Sequence, residues 1–208
     1  MELSLRARLR AGEPAAFGEL FDQYAAAVYR HGYRLTGDRS AAEDVVSETF
    51  LQAWRARERI DDGGGSLQPW LLGIATNIVR NHLRRLRRES GLLARLAPGG
   101  HVLDFADELV GRVDDAATIA RARAALRSLR TAEREVVALC VWEGLDYASA
   151  AQALGIPVGT VRSRLSRARR KLTRLSAREE RDGEPHHSRR QVTSGRIHSA
   201  RLAQEEQR

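Results

Sequence analysis

The stretch LDYASAAQALGIPVGTVRSRLSRARRKL, residues 145–172, decides the fold of the C-terminal half of this 208-residue chain. Asp146 is a candidate N-cap for a short helix, and Gly155 permits the left-handed backbone that ends such a helix. Pro157 suits the start of a second helix, because the N–H that proline lacks is not needed there. The stretch therefore predicts two helices joined by a tight turn, the helix-turn-helix motif of DNA-binding proteins.

The second helix of this motif has one apolar side and one basic side. Four apolar residues recur at three- and four-residue spacing and are the expected buried stripe: Val161, Leu165, Ala168 and Leu172. Five polar residues lie away from that stripe: Arg162, Ser163, Ser166, Arg167 and Arg170. Arginine pairs with guanine edges and phosphates, and short hydroxyl side chains also fit in the major groove. The pattern favours a recognition helix that reads duplex DNA.

A second basic stripe lies on another predicted helix, which begins near Pro69. Its six polar residues fall at i, i+3, i+4, i+7, i+8 and i+11, on one helix side: Asn77, Arg80, Asn81, Arg84, Arg85 and Arg88. Five arginines occur within residues 80–88, and no acidic residue follows before Glu89. Like charges at this spacing destabilise a helix mildly, so a facing anion is favoured. A solvated face is the alternative interpretation, but the stripe favours nucleic-acid contact.

The periodicity of the whole chain predicts an all-α fold of two small helical domains. Apolar residues recur with helical spacing in residues 13–90 and again in residues 117–175. Residues 91–116 contain Pro98-Gly99-Gly100 and scattered acidic residues, which predicts a flexible linker between the domains. Residues 176–208 are polar with few apolar anchors, so we expect a disordered tail.

Within the first domain the pattern predicts three helices. Five residues mark the apolar side of the first helix: Phe17, Leu20, Phe21, Tyr24 and Val28. Ser40 and Glu43 form a capping-box pattern, which predicts that the second helix begins after Ser40 as N-cap. In the second domain, helices at 117–129 and 132–143 are expected to bury the apolar side of the helix-turn-helix.

Composition and charge narrow the class of function. The net charge is +8 and the pI about 10.7, which indicates an anionic partner such as nucleic acid. Cys140 is the only cysteine, so no intramolecular disulfide is expected. The six histidines are scattered, and the chain has neither a His-Glu-x-x-His pattern nor a glycine-rich phosphate loop. We therefore expect no catalytic residues, no cofactor and no metal site.

The hydropathy of the chain bears on its location. Residues 1–12 are rich in arginine and lack the apolar centre of a signal peptide. No segment approaches the roughly 18 apolar residues of a membrane span. The expectation is a cytoplasmic protein without membrane insertion.

Three stretches, in this order and spacing, resemble the extracytoplasmic-function sigma factors, the small group 4 members of the sigma-70 family. AEDVVSETF at 42–50, with Ala53-Trp54, resembles region 2.2 of that family. PWLLGIATN at 69–77 resembles the start of its promoter-melting helix, and PVGTVRSRLSRAR at 157–169 resembles its −35 recognition helix. Ser47 stands where the family usually has glutamine.

The resemblance implies a function for each face. It implies that four residues dock on the β′ clamp helices of core RNA polymerase: Asp44, Ser47, Glu48 and Leu51. It implies that the −10 element is read and melted by Asn77, Arg80, Asn81, Arg84, Arg85 and Arg88. It implies that the −35 element is read by Thr160, Arg162, Ser163, Ser166, Arg167 and Arg170. The implied partners are core polymerase, including its β flap, promoter DNA and an anti-sigma factor.

The alternative from another functional class is a free-standing helix-turn-helix repressor or activator. It explains residues 117–175 alone. It leaves the basic stripe on the Pro69 helix and the acidic pattern around Asp44 without a function. Co-purification with core polymerase discriminates the two hypotheses.

Overall fold

A computed structural model of the chain describes residues 4–61, 63–93, 125, 126 and 128–182. All regular elements in those residues are helical, which confirms the all-α prediction. The chain forms two compact units, Met1–Thr173 and Arg174–Arg208. Apart from residues 174 and 175, the described residues of both expected helical domains lie in the first unit.

The N-terminal part of the first unit contains four α-helices and one short 3₁₀ turn. The helices are α1 (Leu5–Arg10), α2 (Pro14–Thr36), α3 (Arg39–Arg55) and α4 (Gln68–Leu93), with the 3₁₀ turn at Arg57–Arg59. Gly37 ends α2 with a φ of 69°, a left-handed conformation that glycine adopts without strain. The predicted helix start near Pro69 is confirmed, since Pro69 is the second residue of α4.

The C-terminal part of the described chain holds α5 (Thr131–Val137), a π-helical turn (Ala138–Trp142), α6 (Tyr147–Leu154) and α7 (Val158–Asp182). The Asp146 side chain accepts a hydrogen bond from the Ser149 N–H at 2.7 Å, so it is the N-cap of α6. Gly155 closes α6 in the left-handed region, with φ at 64°. The helix-turn-helix predicted from local turn chemistry is therefore confirmed.

Three details differ from the sequence expectations. The N-cap of α3 is Asp38, whose carboxylate accepts from the Ala41 N–H at 2.7 Å, and Ser40 lies inside the first turn. The reason is that Gly37 turns the chain abruptly, so only two residues, Gly37 and Asp38, separate α2 from α3. Phe21 lies 43% exposed rather than buried. Helix α7 continues to Asp182, past the expected start of the tail at 176.

Other expectations fall outside the described residues. The predicted linker lies almost entirely there, as do the tail from 183 and most of the predicted helix at 117–129. The expected helix at 132–143 corresponds to α5 and the π-helical turn, which together span Thr131 to Trp142.

Two buried apolar clusters stabilise the first unit. The first lies among the four helices α1, α2, α3 and α4 and includes Leu20, Val28, Phe50 and Leu71. The second lies under the helix-turn-helix and includes the predicted stripe Val161, Leu165 and Ala168. Leu72 of α4 belongs to this second cluster, so α4 contributes to both.

Candidate nucleic-acid interface

The outer face of α7 lies open to solvent. Its exposed residues are Arg162, Ser163, Ser166, Arg167 and Arg170, and Thr160 is half-buried beside them. Ser163 donates its hydroxyl to the Thr160 carbonyl at 3.0 Å, which leaves the serine oxygen free to accept. Within the described residues Arg162, Arg167 and Arg170 make no ion pair. The structure thus brings the predicted −35 residues together on one accessible basic face.

The stripe on α4 is exposed at five of its six predicted positions. These are Asn77, Asn81, Arg84, Arg85 and Arg88. Arg85 lies 3.9 Å from Glu89, a long and solvent-exposed contact of little energetic weight. The sixth residue, Arg80, is half-buried.

Arg80 is engaged by an acidic residue that its own helix does not provide. Its Nε and Nη2 donate to the two carboxylate oxygens of Glu135 on α5, each at 2.7 Å. Its Nη1 donates to the Asn77 Oδ1 at 3.1 Å. The hydrogen bond to Glu135 raises the pKa of Arg80. The sequence pattern does not reveal this partner of Arg80, because Glu135 is 55 residues away along the chain.

The residues expected to dock on polymerase share one exposed face of α3. Asp44, Ser47, Glu48 and Leu51 are all exposed and follow the spacing i, i+3, i+4 and i+7. They line a groove of about 550 Å³ between α3 and α4, together with Asn81, His82 and Arg85. The acidic face of α3 therefore borders the basic stripe of α4 directly.

A buried histidine supports α4 from behind the stripe. His31 on α2 is fully buried, and its Nε2 lies 2.8 Å from the Thr76 Oγ1. Thr76 donates its own hydroxyl to the Leu72 carbonyl at 2.7 Å, so the His31 Nε2–H is the donor to Thr76. Burial, and then repulsion by Arg34, lowers the pKa of His31 to about 3. No sequence pattern pointed to this neutral imidazole. Its partner Thr76 is the residue directly before Asn77 of the stripe.

The part of the chain that the structure describes contains no group of three or more His, Cys, Asp or Glu side chains that could hold a metal ion. None of its helices combines the length and the apolar character that crossing a bilayer requires.

Taken together, fold and exposed faces define an all-helical protein with a helix-turn-helix and two arginine-rich surfaces of the kind that bind nucleic acid. The family model described as Sigma-70 region 2 matches residues 20–89, and that described as Sigma-70, region 4 matches residues 119–172. The chain belongs to the sigma-70 family, as a sigma factor of the extracytoplasmic-function type. This confirms the family resemblance read from the sequence.

Curated relatives support the same assignment. ECF RNA polymerase sigma factor SigL of Mycobacterium tuberculosis is 36% identical over 169 residues, which cover 81% of this chain and 93% of SigL. ECF RNA polymerase sigma factor BldN of Streptomyces coelicolor is 35% identical over 177 residues. That match covers 83% of this chain and 65% of BldN, so the chain spans about two thirds of the length of that relative.

Two solved structures share the fold. CnrH, in complex with the cytosolic domain of CnrY, matches with a TM-score of 0.61 and 29% identity, over 84% of this chain and 96% of CnrH. The sigma factor RpoE of Bartonella quintana, in complex with the anti-sigma factor NepR, matches with a TM-score of 0.63 and 27% identity. That match covers 77% of this chain and 96% of RpoE.

Proposed function

We propose that the chain is an alternative sigma factor that binds core RNA polymerase, recognises −35 and −10 promoter elements and promotes transcription initiation. The observation that carries this proposal is the coexistence of three exposed faces on one chain: the basic face of α7, the Asn/Arg stripe of α4 and the acidic face of α3. Each face lies in a segment that matches one of the two sigma-70 regions. The chain performs no covalent chemistry in this scheme.

Helix α7 reads the −35 element as duplex DNA. Its exposed arginines are long enough to reach guanine edges or phosphates, and the serines between them are small enough to let the helix enter the major groove. The helix is anchored by Val161, Leu165 and Ala168, which are all buried. Because this apolar side of α7 is packed in the core, the opposite side of the helix keeps a fixed orientation toward the DNA.

Helix α4 captures the −10 element as single-stranded DNA. Asn77 and Asn81 carry amides that both donate and accept, as the edge of an unstacked base demands. Arg84 and Arg88 lie on the same face and bind phosphates, which positions the strand without reading its sequence. Capture of an extruded base offsets the few kcal/mol that unstacking costs, and so favours the open promoter.

The acidic face of α3 docks on core polymerase. Asp44 and Glu48 lie one helical turn apart with the exposed Leu51 beside them, which combines charge with an apolar anchor. We assign this face to the β′ clamp helices, and we assign a second contact, with the β flap, to the helix-turn-helix region. We assign the protein to the cytoplasm, because its proposed partners are core polymerase and promoter DNA.

An anti-sigma factor is the third partner in this proposal. CnrH and RpoE were both solved as complexes, RpoE with the anti-sigma factor NepR and CnrH with the cytosolic domain of CnrY. Their sequence identity of 27–29% to this chain supports a partner of the same class here.

A charge-reversal pair tests polymerase docking. The double variant Asp44→Arg, Glu48→Arg is expected to lose co-elution with core enzyme while its circular dichroism spectrum stays helical. The matched control Asp22→Arg, Glu58→Arg changes the charge equally at two exposed positions away from this face, and it should still co-elute. A folded Asp44→Arg, Glu48→Arg variant that co-elutes with core enzyme like the wild type contradicts the assignment.

A further inference from the structure

The first turn of α7 leaves an apolar side chain exposed beside the basic face. Val158 is the first residue of the helix and is 39% exposed, whereas the next valine, Val161, is fully buried. Arg162 follows Val158 at i+4, so the two side chains lie one turn apart on the same side of α7. Single apolar side chains are common at protein surfaces, so the neighbours of Val158 decide what it can contact.

Gly159 lies on the basic face itself, at its N-terminal end. Counted from Gly159, four exposed residues follow on the same side of the helix at i+4, i+7, i+8 and i+11: Ser163, Ser166, Arg167 and Arg170. No atom of the described chain lies within 4 Å of the place that a Cβ atom would take at Gly159, and the φ of this residue is not left-handed. Glycine in a helix is unfavourable relative to alanine. Neither the backbone nor the packing of the described residues therefore requires glycine at this position.

Duplex DNA offers a partner for both features. A recognition helix enters the major groove with its N-terminal residues against the edges of the bases. The C5-methyl group of thymine is the apolar group on those edges. Because the arginines of the same face attract the phosphates that border the groove, the molecule that covers Val158 and Gly159 is the duplex that these arginines bind.

We propose that Val158 and Gly159 extend the −35 reading surface to the first turn of α7, where Val158 packs on the C5-methyl group of a thymine and Gly159 lets the helix backbone approach the DNA closely. The inference rests on the proposed function, since it matters only if α7 reads the −35 element. It adds a preference for one A·T pair. The arginines and serines of the face read hydrogen-bonding groups, so they do not supply a preference for a methyl group.

A cycle of methyl deletions tests the contact of Val158. Holoenzyme is titrated onto a fluorescein-labelled duplex of a mapped promoter, in which each thymine of the −35 element is replaced in turn by deoxyuridine, which lacks only the C5-methyl group. For the wild type, one replacement should weaken binding about fourfold, as expected for one buried methyl group. Val158→Ala should weaken binding to the unmodified duplex by at least this factor, and it should abolish the effect of that one deoxyuridine.

Val141→Ala is the matched control for this cycle. It removes the same atoms from a valine that is 55% exposed and lies outside α7. The deoxyuridine replacement should still weaken binding about fourfold in this variant, because the thymine contact is intact.

Two glycine variants test the close approach. Gly18 of α2 and Gly159 are both exposed, and a Cβ atom at either would meet no described atom within 4 Å. Neither Gly18→Ala nor Gly159→Ala should lower the free energy of unfolding, because alanine is the better helix former. Gly159→Ala should weaken binding of holoenzyme to the promoter duplex about tenfold, because its methyl group separates the helix from the DNA. Gly18→Ala should bind like the wild type.

The outcomes separate this inference from the proposed function. If Val158→Ala and every deoxyuridine replacement act additively, or if the mapped −35 element contains no A·T pair, Val158 does not read a thymine. Wild-type affinity of Gly159→Ala contradicts the close approach. A wild-type holoenzyme that binds no −35-dependent promoter contradicts the proposed function instead, because that result involves neither a variant nor a modified base.

Discussion

The two arginine-rich helix faces, on α4 and α7, have similar side chains in different surroundings. On α7 the arginines at 162, 167 and 170 are exposed and make no ion pair among the described residues, and the buried Val161, Leu165 and Ala168 lie on the opposite side of the helix. On α4 the stripe rests on a buried polar contact, His31 with Thr76, and Arg80 is held by Glu135. Composition and spacing identify both faces, but only long-range packing distinguishes a free face from an engaged one.

The largest expected effect concerns Asn77 and Asn81 of α4, which have no counterpart on α7. The double variant Asn77→Ala, Asn81→Ala removes the neutral amides and leaves the arginines of α4 in place. Polymerase binding and closed-complex formation through α7 should persist, while permanganate reactivity of the −10 thymines is lost. On a template with a pre-melted −10 bubble the defect should persist in part if base capture is the missing contact, and vanish if opening is.

Normal permanganate reactivity of this double variant on duplex DNA removes the role assigned to both asparagines. The α4 stripe then becomes a simple phosphate-binding face, like a helix that positions DNA without reading it. In that case only α7 would recognise the promoter sequence, and α4 would only bind the DNA backbone.

The next prediction concerns the buried contact between His31 and Thr76 that supports α4. The His31 pKa of about 3 lies below the ordinary value of about 6.5, so the unfolded chain binds the proton more readily. The stability that this difference contributes is complete above pH 6.5 and is lost as the pH falls toward 3. At pH 5 the loss amounts to roughly 2 kcal/mol. Urea titrations at pH 7, 6 and 5 measure it.

A neutral replacement isolates the histidine contribution. His31→Gln keeps a donor for Thr76 and does not titrate, so its free energy of unfolding should fall less steeply between pH 7 and 5 than that of the wild type. Identical slopes for the two proteins indicate that His31 is protonated or solvated in the folded state.

The exposed basic face of α7 is expected to show effects of similar size, which can be measured separately from those on α4. Arg162→Ala or Arg167→Ala should weaken −35-dependent transcription by about 1–3 kcal/mol if the arginine reads a base edge. The control is Arg30→Ala, an exposed arginine on α2, which changes net charge equally. If both α7 variants transcribe like wild type from a −35-dependent promoter, the face is not a base reader.

The smallest expected effect concerns a feature that the two regions share. Asp38 caps α3 and Asp146 caps α6, each with a carboxylate 2.7 Å from a backbone N–H three residues on. Asp38→Ala should lower the free energy of unfolding by about 1 kcal/mol, and Ser40→Ala should leave it nearly unchanged. Asp146→Ala should lower the melting temperature as well. A larger loss from Ser40→Ala than from Asp38→Ala, in thermal denaturation, contradicts the observed cap.

The sequence was sufficient where the determinants are local. Asp146, Gly155 and Pro157 fix the helix-turn-helix within a dozen residues, and the helical period alone placed the stripes of α4 and α7 on single faces. The prediction of Ser40 as the cap of α3 is wrong because Asp38 and Ser40 are both good N-caps, and the choice depends on where Gly37 ends α2. Glu135 escaped notice because no local pattern links residues 55 positions apart.

The central claim, that this chain directs RNA polymerase to promoters through α7 and α4, is tested most directly by transcription of genomic DNA with purified core polymerase. Adding the wild-type chain should create start sites that share common −35 and −10 sequences and are absent with core enzyme alone. Adding the Asp44→Arg, Glu48→Arg variant should create none, while Asp22→Arg, Glu58→Arg should reproduce the wild-type set. No new start sites with the folded wild-type chain, or the same sites with the docking variant, would contradict the account.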